Sequence, residues 1–306
     1  MRAARATDLS FEVSNPDKVF FPDAGLTKGD LVAYYQRIAP VMLPHVRGRI
    51  VAMRRFPDGI TGRHFYQKDV PPYFPGWIET VEVEKAGGHL REVVVSRPET
   101  LVYLANQGAI ELHVWPGRAD KPRHPDRLIL DLDPSTDDFG PVRAAAAAAR
   151  ERLAAVGLRP YVMTTGSRGL HVVAPLDRRA DTDTVRALAS LLAHAIAEDD
   201  PAHFTVEQRK NTRGPRVFVD YLRNGYGQHA VAPYSVRALP EAPIATPLAW
   251  DEVTARLRPR KYTLRNIRRR LAGRDDPWGD IARHARSAAA ALRRAERWRG
   301  AESVER

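Results

Sequence analysis

Apolar positions recur along this chain with two periods. Leu31, Tyr34, Tyr35 and Ile38 fall at i, i+3, i+4 and i+7, and Thr27 with Asp30 forms a capping-box-like pair ahead of them. That spacing predicts a helix over 27–39. Pro141 to Val156 reads as a second helix, with Pro in the first turn, an Ala144–Ala149 run inside and Gly157 after its end. Val185, Leu188, Leu191, Leu192, Ala195 and Ile196 give a third stripe over 184–197. Between these lie short runs rich in β-branched residues: Ile50–Met53, Glu79–Val83, Glu92–Val95, Ile110–Val114, Leu128–Leu132, Arg159–Thr164, His171–Pro175 and Arg216–Tyr221. They predict strands. Strands mixed with several helices predict an α/β or α+β fold around one or two sheets. Residues 71–76 read as a stiff loop and the Pro-rich stretch 240–247 as an extended strap across the surface.

The chain has 306 residues, 43% hydrophobic and 28% charged, which suits a globular protein of one large or two modest domains. No apolar run approaches the length of a membrane span, and residues 1–10 are polar, without the apolar stretch of a secretory signal. Cysteine is absent, which excludes disulfides, cysteine–zinc sites, iron–sulfur clusters and cysteine nucleophiles, and suits a reducing cytoplasm. The net charge of +11 leans toward polyanionic partners. Residues 256–306 carry sixteen Lys and Arg against six Asp and Glu, so nearly all the excess lies there. The expected division is a body over 1–270, closed by a helix within 261–270, and a basic Ala/Arg-rich extension over 271–306. The last part of that extension reads as a loosely attached helix.

Residues 128–135 read Leu-Ile-Leu-Asp-Leu-Asp-Pro-Ser. On a strand, Asp131 and Asp133 point to one face. Taken alone, the pair reads either as a divalent-metal pair, since adjacent anions need a cation between them, or as a strand end with an Asp-Pro turn. Asp220 ends another β-branched and aromatic run. Three such acids can hold two metals in the arrangement used for nucleotidyl transfer. Residues 164–171, Thr-Thr-Gly-Ser-Arg-Gly-Leu-His, have the composition of a phosphate cradle without being a Walker loop. Lys28 sits in the first turn of a helix, the end that favours a bound anion. Arg63-His64-Phe65-Tyr66-Gln67-Lys68 interleaves cations with aromatics, which suits stacking on bases beside phosphates.

In chain order, Asn15-Pro-Asp-Lys18, Thr27-Lys-Gly-Asp30, Leu112-His-Val114, Leu130-Asp-Leu-Asp-Pro134, Thr165-Gly-Ser-Arg-Gly-Leu-His171, Val217-Phe-Val-Asp-Tyr221 and Ala232-Pro-Tyr-Ser-Val-Arg237 resemble the polymerase domain of bacterial DNA ligase D. That family belongs to the archaeo-eukaryotic primase superfamily and works in non-homologous end joining. The resemblance implies mixed and antiparallel sheets flanked by helices, and a template-directed polymerase that prefers ribonucleotides at gaps and break ends. It implies that Asp131, Asp133 and Asp220 hold two Mn²⁺ or Mg²⁺ ions. By the same resemblance His113, Ser167, Arg168, His171, Lys210 and Arg237 bind the nucleoside triphosphate, Lys18 and Lys28 the DNA 5′-phosphate, and Phe65 and Tyr66 stack on the template. Arg168 stands where the family more often has Lys, so a planar fork replaces a point charge. The implied partners are DNA with gaps or 3′ overhangs and a 5′-phosphate, NTPs, Ku and a separate ligase, in a cytoplasmic, nucleoid-associated setting with no membrane.

No Lys lies in a Lys-x-Asp-Gly motif, the adenylated lysine of DNA ligases, so nick sealing is not expected of this chain. Two alternatives remain. A haloacid-dehalogenase-like phosphatase also carries strand-borne Asp-x-Asp, but Pro134 stands where Gly is usual. A non-catalytic end-binding module would gain nothing from three acids near phosphate.

Overall fold

The computed structural model describes residues 11–304, so the polar segment 1–10 lies outside the described residues. The chain forms two compact units. One comprises residues 11–115, 229–246 and 262–275; the other comprises 116–228, 247–261 and 276–304. Residues 271–275 therefore group with the first unit and the rest of the basic segment with the second.

The first unit is built on an antiparallel sheet in the order Ala230–Val231, Ala109–Val114, Arg49–Arg55, Gly88–Val95, Thr80–Lys85, with Phe65–Gln67 paired to the end of Arg49–Arg55. The capping box at Thr27 and Asp30 forms as the pattern predicts: each side chain accepts from the other's backbone N–H. The helix it opens runs over Lys28–Val46, seven residues past the predicted end, through Pro40 and Pro44. Each proline removes one backbone hydrogen bond, but Met42, Leu43 and Val46 continue the buried stripe, and that packing outweighs the loss. A helix over Pro98–Asn106 has no clear stripe because Thr100 to Asn106 are all buried. Its one local signal is Pro98 in the first turn. The segment 240–247 is not a surface strap. Ala242, Ile244, Ala245 and Thr246 are fully buried, bridged to Val236 and Thr263 on either side.

The second unit holds a sheet in the order Phe204–Thr205, Val217–Asp220, Arg127–Asp133, Leu170–Pro175, Tyr161–Thr164, Pro247–Leu248, antiparallel except for its first pair. Helices Gly140–Ala155 and Thr182–Asp199 pack on this sheet and on each other. The fold is thus mixed α/β, as the pattern predicts. The C-terminal helix Ala288–Val304 is not loosely attached: Ala288, Ala291 and Ala295 are buried, and the helix packs on Thr182–Asp199.

Candidate active site

The acids follow from strand register. Arg127–Asp133 lies between two antiparallel neighbours, and Asp131 is directly opposite Asp220 on one and His171 on the other. Residues directly opposite share a face, so Asp220, Asp131 and His171 form one row across three strands, and Asp133 joins that face two residues on. Asp131 and Asp220 are 7% and 5% exposed. His171 Nε2 lies 3.3 Å from Asp131 Oδ1, without the direction of a good hydrogen bond, and among the described residues this buried oxygen has no other partner. Asp220 Oδ1 accepts from Leu222 N at 2.7 Å.

Arg223, which sequence reasoning passed over, enters this row. Its Nε is 3.3 Å from both Asp131 Oδ2 and Asp220 Oδ2. The turn that carries it is fixed by Asn224, whose side chain accepts from Ile129 N at 2.8 Å and donates to Ile129 O at 2.7 Å. The amide thereby extends the sheet where Val217–Asp220 has ended. The only signal for Arg223 is its position three residues after Asp220, within reach across a turn.

The electrostatics split the carboxylates. Burial pushes Asp131 up, but His171 and then Arg223 outweigh it and bring its pKa to about 2. Asp133 is raised to about 6, first by repulsion from Asp131 and then by burial. Asp220 is raised by burial, with Arg223 opposing and Asp131 adding to the rise. The row therefore holds more negative charge than its own cations neutralise.

The hairpin between Tyr161–Thr164 and Leu170–Pro175 is organised by Thr165, another residue not singled out in the sequence. Its Oγ1 accepts from Gly169 N at 3.2 Å and donates to Gly169 O at 3.1 Å. Gly166 adopts φ +67°, and a Cβ on Gly169 would stand 2.1 Å from Leu132 O, so only glycine lets this loop lie against the acid-bearing strand. Ser167 and Arg168 sit at its tip. Arg168 Nη2 donates to Pro134 O at 3.0 Å, and Arg260 Nε donates to Ser167 O at 3.1 Å. Lys210 is exposed, on the short helix Lys210–Arg213.

In the first unit, Glu111 is the anchor. It is 1% exposed; it is hydrogen-bonded to His113 Nε2 at 3.1 Å, Arg54 Nη1 at 3.4 Å and the Ala238 N–H at 3.0 Å, and is ion-paired with Arg237, whose Nε lies 3.3 Å away. Burial alone would raise its pKa, but His113 and Arg237 hold it well below the usual carboxylate range. His113 itself is lowered by burial, with Glu111 opposing. The Tyr66 ring meets His113 edge-on at 5.8 Å. Phe65 and Tyr66 are 42% and 60% exposed, and the Arg55 and Arg54 guanidinium groups lie 5.6 and 5.7 Å from their respective ring centres.

The two lysines behave differently from the expected helix-end anion site. Lys28 N donates to Lys18 O and Gly29 N to Pro16 O, both at 2.8 Å, while Asp30 N is taken by the Thr27 cap. The helix N–H groups are thus used internally, leaving only the ammonium groups for an anion. Lys18 pairs with Asp58, and Lys28 Nζ donates to Ser14 O at 2.6 Å and Ser14 Oγ at 2.7 Å. Burial first, and then the charges of Lys18 and Arg55, lowers the Lys28 pKa.

A divalent metal fits the acid row by donor chemistry. The donors are carboxylate oxygens suited to hard cations, one buried oxygen lacks a well-directed partner, and the repulsion of Asp131 on Asp133 is only partly offset by His171 and Arg223. Among the described residues no group of three or more His, Asp or Glu side chains is closed around a metal position, and Arg223 stands between two of the acids instead.

Comparisons with known proteins agree with one another. The profile described as "LigD, primase-polymerase domain" matches residues 27–278. The multifunctional non-homologous end joining protein LigD of Pseudomonas aeruginosa is 33% identical over 95% of this chain, which spans 35% of that protein. The bifunctional LigD of Bacillus subtilis is 30% identical over 93% of this chain and 46% of its own length. The chain thus spans less than half the length of these relatives. The solved polymerase domain of Mycobacterium tuberculosis ligase D in complex with DNA superposes with a TM-score of 0.84 at 30% identity, covering 90% of this chain and 99% of that one. These matches displace the Asp-x-Asp phosphatase alternative. Profile, relatives and solved fold agree: the chain belongs to the LigD primase-polymerase domain family of DNA-directed nucleotidyltransferases.

Proposed function

We propose that this chain is a template-directed polymerase that adds nucleotides, ribonucleotides by preference, at gaps and double-strand-break ends during bacterial non-homologous end joining. One observation carries the reading: Asp131, Asp220 and His171 share one cross-strand row, with Asp133 on the same face and the Thr165–Gly169 loop packed against the acid strand. Asp131, Asp133 and Asp220 would hold two divalent ions, Mn²⁺ or Mg²⁺. When bound, these supply Lewis-acid activation of a primer 3′-hydroxyl and neutralise triphosphate charge.

The chain's own groups have complementary tasks. In the second unit, Ser167, Arg168 and Lys210 bind triphosphate oxygens, and His171 divides its Nε2 between Asp131 and the nucleotide. In the first unit, His113 and Arg237 serve nucleotide binding and are aimed by Glu111. Lys18 and Lys28 recognise the DNA 5′-phosphate through their ammonium groups, and Phe65 and Tyr66 stack on template bases. Residues 1–270 carry the activity, and the basic segment 271–306 adds salt-sensitive, nonspecific DNA affinity. Ku and a separate ligase are the expected partners on the nucleoid in the cytoplasm. Among the described residues no helix is long and apolar enough to cross a membrane.

The test is primer extension on a short gapped duplex with labelled ribo- and deoxynucleotides and Mn²⁺. Template-dependent addition, faster with ribonucleotides, is expected. Phosphate release from simple esters without any extension would overturn the reading.

A further inference from the structure

Arg223 meets the acid row in an unusual way. A strong arginine–carboxylate pair uses two parallel N–H groups of the fork on one carboxylate. Here a single Nε faces two carboxylates on neighbouring strands at 3.3 Å each, and only the contact to Asp131 has hydrogen-bond direction. The guanidinium thus acts as a shared positive charge. It leaves Asp131 Oδ1, on the other side of the carboxylate, without a well-directed donor although that atom is buried.

The supports of Arg223 are also unequal. The turn Leu222–Asn224 is held rigidly, because Asn224 is fully buried and bonded to both polar groups of Ile129. The Arg223 side chain is 38% exposed. Its backbone is fixed while its head has a path to solvent, so rotation of the side chain alone withdraws the charge and leaves the carboxylates in register.

Resting on the metal reading given above, we infer that Arg223 is a built-in counter-ion that competes with divalent cations for Asp131 and Asp220. It holds the acid row together in the metal-free protein and swings out when a cation enters. A guanidinium and a divalent ion between the same two oxygens would repel at close range. Cation uptake therefore carries the cost of displacing Arg223. That cost falls when an incoming triphosphate offers the freed guanidinium a new anionic partner.

The experiment is Mn²⁺ titration of the full chain by calorimetry, without nucleotide, for wild type, Arg223→Gln and Arg223→Lys. Arg223→Gln is expected to bind Mn²⁺ about tenfold more tightly, and Arg223→Lys, which keeps the charge, to stay within about threefold of wild type. In chelator, Arg223→Gln should melt below wild type and regain the difference with Mn²⁺. Equal or weaker Mn²⁺ binding by Arg223→Gln overturns the inference while leaving the metal reading intact. Failure of wild type and Arg223→Gln alike to bind Mn²⁺ removes the metal reading and the inference with it. A measurement on wild type alone guards against a variant that does not fold. The Arg223 Nε–H resonance should shift on Mg²⁺ titration, and a resonance indifferent to saturating Mg²⁺ would refute the displacement.

Discussion

The two units present opposite electrostatic problems. In the second, acids are gathered on one face of a sheet with too little cation among them: Asp131, Asp133 and Asp220 share Arg223 and His171, and Asp133 is raised to about 6 by its neighbour's charge. In the first, one buried acid, Glu111, holds a surplus of cations, and Lys18 and Arg55 lie close enough to Lys28 to add to the lowering of its pKa by burial. An excess of fixed anion inside a protein invites a metal. An excess of fixed cation beside exposed aromatics invites a nucleic acid. The difference separates chemistry from binding and can be tested one unit at a time.

The largest expected effect is at the acids. Asp131→Asn with Asp133→Asn should lower nucleotide addition by about a thousandfold or more while DNA affinity stays within about threefold, because cations elsewhere supply that affinity. Asp133→Asn alone removes like-charge repulsion while leaving Asp131 with His171 and Arg223, so that metal-free variant should melt higher than wild type. Retained extension would break the assignment of chemistry to the second unit.

Next in size is Glu111→Gln. It leaves Arg54 and Arg237 without their shared anion in a buried setting, and should cost about 3 kcal/mol in urea unfolding. The sign of the pH dependence follows from the pKa, which is held below its ordinary value. Glu111 adds stability above the unfolded carboxylate range, and that stability is lost as pH falls below about 4.3. The variant should therefore show a weaker acid dependence than wild type. A loss under about 1 kcal/mol would mean that the first unit does not depend on this anchor.

Smaller again is Lys18→Ala with Lys28→Ala. Binding to a 5′-phosphorylated gap should fall about tenfold, to the level of the unphosphorylated gap. Wild type that binds both gaps equally would remove the 5′-phosphate role.

How much was legible in the sequence tracks the same contrast. Asp131, Asp133 and Asp220 stand on strands whose apolar runs announce them, and a period of two puts carboxylates on a shared face without knowledge of the partner strands. The register that sets Asp131 opposite both Asp220 and His171 was not legible, because pairing depends on the whole sheet. Arg223 was missed, and the role of Thr165 within its motif was not legible, for a related reason. Each acts through a turn, where one side-chain hydrogen bond or ion pair decides the geometry and no periodic pattern reports it. That the helix N–H groups at Lys28 are used internally was not legible, because the carbonyls of Pro16 and Lys18 cap the helix from a segment with no regular pattern. The strap over 240–247 was misread because proline content signals extended backbone but says nothing about burial, and its apolar members Ile244 and Ala245 are fully buried.

The smallest expected effect makes the sharpest distinction in the first unit. Phe65 and Tyr66 contribute little to the core: they are 42% and 60% exposed on a three-residue edge strand, with Arg55 and Arg54 near their rings. If they serve only as surface packing, Phe65→Ala and Tyr66→Ala should change neither melting nor template binding by much. If they stack on bases, each should weaken binding of a single-stranded template overhang by about fivefold, roughly 1 kcal/mol, while the melting temperature barely moves. Tyr66→Phe keeps the ring face and should keep the affinity. Tyr66→Ala removes the ring edge that meets His113 as well, so a loss of nucleotide binding in that variant but not in Phe65→Ala would assign Tyr66 to His113 rather than to the template. Salt then separates stacking from charge. The Phe65→Ala loss should persist as salt rises, since a ring releases no counterions, whereas the lysine variants should converge on wild type.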